Sequence, residues 1–174
     1  MNAIVYITAL ALSEAAEKEL SGRQKAIFAR WKLPSALALP PVLPLFSAAV
    51  PPAAGLLRRI RALPWKTSAF SGYGRKGPIL YAAADFGGVP PEILRAAEAA
   101  GADAGFLPPF PSGFYLADAG EAEADLSEIP SPPAGKIRRL RLQLIEVEPR
   151  EEKAPWWYAV EWTVKSEEWI KLEG

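Results

Sequence analysis

The chain has 174 residues, 20 basic and 20 acidic side chains, and neither histidine nor cysteine. That length suits one domain able to bury roughly 70% of its unfolded surface, and an apolar half with six tryptophans argues against global disorder. A formal charge of zero argues against nucleic-acid binding by bulk electrostatics, and the two missing residue types exclude disulfides, thiolate or imidazole catalysis and zinc–thiolate or imidazole metal sites. Carboxylate–Mg²⁺ chemistry and paired-carboxylate hydrolysis are the catalytic options left.

The apolar start Ala3–Leu12 lacks a basic region before it and is too short to span a bilayer, so it reads as neither signal peptide nor anchor. Within it, residues 3–9 are rich in β-branched and aromatic side chains and predict a buried strand. Ser13 to Trp31 predicts a helix capped by Ser13, with a break at Ser21-Gly22 and an end before Pro34. The uncharged run 33–57 contains six prolines, which a membrane helix tolerates badly. Its first part, 33–46, reads as extended chain at a sheet edge. The default is a protein of a reducing compartment, the cytoplasm, with no membrane contact.

Pro51-Pro52 opens a helix with Leu56, Leu57, Ile60 and Leu63 on one stripe. Residues 67–71, a turn at 72–77 and residues 79–84 predict a hairpin. Pro90-Pro91-Glu92 opens another helix, closed by Gly101. Residues 106–117 repeat the uncharged, proline-rich, extended character of 33–46. The acidic stretch 121–128 predicts a short helix, and 136–148, 156–165 and 169–172 predict strands. The whole is an α+β pattern of mostly antiparallel sheet in two similar halves, a single two-lobed domain over 1–174.

Several motifs have bland readings. Gly72, Gly74 and Gly77 fit the spacing G-x-G-x-x-G, and Asp85-Phe86-Gly87 follows. A kinase needs a histidine-containing catalytic loop, and a dinucleotide site needs a helix after the glycines, where Pro78 and a strand follow. A hairpin turn is the better account, with Arg75 and Lys76 left as anion contacts. Arg139 and Arg141 share a strand face opposite Leu140, Leu142 and Leu144, which predicts a solvated face paired with Glu161. The tryptophans at 156, 157, 162 and 169 alternate between faces, placing some in the core and leaving Trp157 exposed. Glu121, Glu123 and Asp125 read as a solvated helix start rather than a metal site.

The order of segments resembles the 2H phosphoesterase superfamily, which includes 2′-5′ RNA ligases and cyclic nucleotide phosphodiesterases. The first strand Ile4–Leu10 and the helix after it look like the family's opening. Leu33–Leu39 falls where the family has its first H-x-T motif. Residues 63–81 resemble its strand, glycine turn and strand, Phe110–Leu116 falls at the second motif, and 137–147 with 156–164 look like its closing hairpin.

The resemblance implies two lobes, helices outside and a central cleft. Each motif faces that cleft, the histidines acting as base and acid and the hydroxyls holding phosphate. In this chain the four positions hold Ala36, Ala38, Gly113 and Tyr115. Of these only Tyr115 can donate a hydrogen bond, and a phenol is a poor base at neutral pH. The expectation is a non-catalytic member, needing neither cofactor nor metal, whose apolar cleft either binds an apolar ligand, a peptide or a second copy, or has collapsed and is packed shut. Nucleic acid as a partner is implied by the resemblance alone. The competing expectation is a divergent phosphoesterase or nucleotide binder with anion contacts from Lys66, Arg75 and Lys76.

Overall fold

The computed structural model describes residues 4–99, 101, 113–149 and 160–174. Within them the fold is α+β, and every pairing between strands is antiparallel. Four strands form the main sheet in the order β2 (Leu43–Ala48), β1 (Val5–Leu12), β8 (Arg139–Pro149), β9 (Val160–Lys171). A second sheet has the order β4 (Gly72–Lys76), β5 (Ile79–Ala83), β6 (Gly113–Asp118), and β3 (Ser68–Ala69) pairs with β7 (Lys136–Ile137).

β1 is an unbroken apolar run because the main sheet is covered on both faces. Leu10 and Leu12 stand opposite Leu142 and Leu140. They join a large cluster with Leu20 and Ile27 of α1 (Glu14–Trp31), Leu56 and Ile60 of α2 (Ala54–Arg61), Ile93 of α3 (Pro91–Ala99), and Leu80 and Phe114 of the second sheet. On the other face Ile7 and Ala9 join Ile145 and Val147 in a smaller cluster with Leu39, Val42, Ile79 and Tyr115. Phe114 anchors the large cluster through edge-to-face contacts with Phe70 and Phe86, at centroid separations of 5.8 and 5.9 Å.

The helix boundaries follow their local chemistry. α1 starts after Ser13, whose carbonyl accepts from Glu17 N–H, although its hydroxyl makes no cap bond. The helix runs through Ser21-Gly22 without a break and ends at Lys32, which takes the left-handed conformation ahead of Pro34. α2 buries Leu56 and Ile60 on the expected stripe, with Leu57 and Leu63 half-buried beside them. Gly101 lies at positive φ after α3 and returns its N–H to Glu98.

Five expectations need correction. Residues 72–76 are strand β4, and the turn is Gly77-Pro78 alone. Gly77 at φ 57° followed by proline is the sign pattern of a type II′ hairpin. The segment 33–46 folds first into a 3-10 turn, Pro34–Leu37, and becomes strand only at Leu43. The acidic stretch is helical only over Leu126–Glu128, where Asp125 Oδ1 caps Ser127 N–H at 3.0 Å. The separate strands expected at 156–165 and 169–172 are one, β9, with a register shift opposite Leu144/Ile145. Of the four tryptophans, the two described, Trp162 and Trp169, both lie at the surface, 42% and 48% exposed. Trp156, Trp157 and residues 106–112 lie outside the described residues.

The fifth correction concerns the charged pattern. The face that Arg141 shares with Arg139 is not solvated there: its side chain is 5% exposed, and it pairs with Glu17 of α1 and Glu167 of β9. Glu161 stands opposite Glu148, away from both arginines. Arg139 stays outside and lies over the Trp169 ring at 4.3 Å.

Candidate functional site

The two segments that carry the motif positions do meet. β2 and β6 are edge strands of their respective sheets, and the chain entering β2 is bonded to β6 where Tyr115 N–H donates to Val42 O at 2.8 Å. Tyr115 Oη donates to Ser35 O at 2.8 Å, and the Ser35 hydroxyl bridges Asp118 O and Asp118 N–H at 2.7 and 2.9 Å. From α1, Gln24 Nε2 donates to Leu39 O at 3.0 Å and Leu116 O at 3.3 Å, spanning the same junction. Residues 113–117 are all buried. Along this stretch the seam is packed rather than open.

Ala36 and Ala38 sit on the 3-10 turn and its cap, not on a strand, and Ala36 is fully buried. The turn reaches β6 through Ser35, while the strand-entering residue beside Tyr115 is Val42. Gly113 has no room for a side chain. A Cβ there meets the Tyr81 ring, 2.9 Å from Cγ, and a Cβ at Gly74 meets the far end of the same ring, 2.5 Å from Cζ. The Tyr81 side chain therefore lies in a trough that the two glycines form across the second sheet.

Tyr115 is buried, and that burial, followed by the nearby charge of Asp118, pushes its phenol well above its ordinary range. It holds its proton in the folded chain at pH values where an unfolded-chain phenol has lost it, above about 10. Above that pH the native state binds one proton more than the unfolded state, so stability falls by about 1.4 kcal/mol per pH unit from this group. Below it the contribution is fully present. Urea midpoints measured from pH 8 to 11.5 should drop steeply at the alkaline end, and Tyr115→Phe should flatten that drop. Equal alkaline slopes in the two proteins would show that Tyr115 ionises freely.

The three candidate anion contacts do not converge. Lys76 pairs with Ile79 at the start of β5, whereas Lys66 N–H donates to Phe86 O beyond its end. Arg75 is committed to backbone carbonyls: Nε to Gly77, Nη1 to Ala122 and Nη2 to Gly120, at 2.8, 2.7 and 2.8 Å. Its role is to pin the 119–122 turn onto β4. Among the described residues no group of three or more acidic side chains is placed to hold a metal ion. Among the described residues no helix is long and apolar enough to cross a membrane.

Sequence reasoning missed Gln24, Ser35 and Tyr81. The signal for Tyr81 was present, since glycines at 74 and 113 flank a central aromatic, but nothing local pairs those positions. A comparison with models of known families, with curated proteins and with solved structures finds no significant match.

Proposed function

We propose that this protein is a non-catalytic relative of the 2H phosphoesterases that serves as a binding or assembly module. The observation that carries the reading is the state of the second motif position. The space a histidine would need at Gly113 is taken by the Tyr81 ring, and the neighbouring Tyr115 hydroxyl is spent on Ser35 O. Neither can exchange a proton with a phosphate, because one is absent and the other is buried and held protonated. The meeting of 33–42 with 113–118, the alternation of strands and helices, and the antiparallel sheets support the family reading.

The test is turnover of 2′,3′-cyclic nucleotides and 2′-5′-linked RNA by the purified protein. The expected result is none above buffer. Turnover that disappears in Tyr115→Phe would establish the divergent phosphoesterase instead.

A further inference from the structure

Away from the motif seam, α2 and the β8–β9 pair of the main sheet border a cavity of about 430 Å³. That lies within the 300–1,000 Å³ typical of small-ligand sites. One wall is a single stripe of α2, Ala54, Leu57, Arg58 and Arg61, at helical spacing. The floor is Leu142 and Leu144, with Glu168 and Ser166 directly opposite them on β9. This stripe differs from the Leu56–Ile60 stripe that faces the core, so α2 presents apolar side chains on two sides.

Charge at the rim is uneven. Arg61 is matched by Glu168 across the opening. Arg58 lines the same cavity and has no acidic partner among the described residues. An apolar floor beneath one uncompensated guanidinium selects for a ligand with a hydrocarbon body and one negative end. It favours such an anion over a neutral alcohol, which gains no charge-assisted contact, and over an amine, which the exposed guanidinium repels.

We propose that this cavity binds a small amphipathic anion, its hydrocarbon on Leu57, Leu142 and Leu144 and its carboxylate or sulfonate on Arg58. None of these residues occupies a motif position, so the proposal goes beyond the family reading and stands or falls separately from it.

Titration calorimetry with decanoate, and with decylammonium as the charge-reversed control, tests it on the full chain. Decanoate should bind saturably at one site, and decylammonium should not. Arg58→Ala should weaken decanoate by about tenfold or more, as expected for loss of a charge-assisted contact. Ser166→Trp starts from an exposed strand position and fills the cavity from its rim, so it should abolish binding while leaving the melting temperature near wild type. The proposal is overturned by absence of saturable binding, by equal binding of the two amphiphiles, or by binding indifferent to both substitutions. It is also overturned if sedimentation shows that the ligand-free protein dimerises and Ser166→Trp breaks the dimer, because the face is then a contact between copies.

Discussion

Gly113→Ala is expected to lower the stability of this protein by about 1–3 kcal/mol, the usual cost of overpacking. The direction is the reverse of the ordinary glycine-to-alanine effect, which stabilises by restricting the unfolded chain. Gly113 has no positive φ that would strain an alanine. The cost is steric: the added methyl meets Cγ and Cβ of Tyr81, at 2.9 and 3.1 Å, near the fixed root of that side chain. At Gly74 the contact is with the ring's far end, so a shift in χ relieves it and Gly74→Ala should cost less. A thermal melt should show Gly113→Ala lowered by several degrees, at about 2–4 °C per kcal/mol for a chain of this size. Combining it with Tyr81→Ala should show a favourable coupling of about 1 kcal/mol or more. An alanine variant as stable as wild type would mean that the ring does not occupy the glycine trough. Introducing histidine at position 113 meets the same obstacle with a larger group, so it should destabilise without creating activity.

Arg141→Met is expected to cost about 2–4 kcal/mol. The guanidinium is 5% exposed and joins three elements, donating from Nε to Leu12 O at 2.7 Å, from Nη2 to Glu17 at 3.2 Å and from Nη1 to Glu167 at 3.1 Å. Gln143 Nε2 adds a bond to the same Glu167 oxygen at 2.7 Å. Removing the arginine leaves the Leu12 carbonyl without this donor, while the carboxylates, 25% and 39% exposed, rehydrate in part. Removing the carboxylates should be strongly non-additive. Either Glu17→Gln or Glu167→Gln leaves one counter-charge, and the pair together leaves a buried cation with none. Denaturant melts of the two single variants and the double variant decide it. Additive costs would show that the two carboxylates act independently of the shared guanidinium.

The fold class and the helix limits were legible because they depend on local rules. Pro34 stops α1 through its own ring, and Leu56 and Ile60 repeat at helical spacing, whatever lies around them. The errors share a different cause, which is dependence on distant partners. Gly74 looks like a turn residue until Tyr81 supplies a reason for a strand position without a side chain. Arg141 looks solvated until Glu17, 124 positions earlier, is brought against it by α1. β9 looks interrupted at Glu167 and Glu168 because charges weaken strand propensity, yet eleven paired positions on β8 hold it extended. Segments 33–42 and 113–118 do touch, but through Ser35 and Val42 rather than through Ala36 or Ala38, and neither contact is marked by any local pattern.

The main sheet ends on one side in β9, twelve residues long and, among the described residues, paired on one margin only. Such a margin offers unused backbone donors and acceptors to any other extended polypeptide, which is a route to fibrous self-association. Glu161, Lys165, Glu167, Glu168 and Lys171 stud it with mixed charge, and the register shift near Lys165 interrupts its regularity. Charged side chains and an irregular register are the features by which an exposed sheet edge resists the addition of a second strand. The same charges that obscured this strand in the primary structure make its exposed edge a poor template for further pairing.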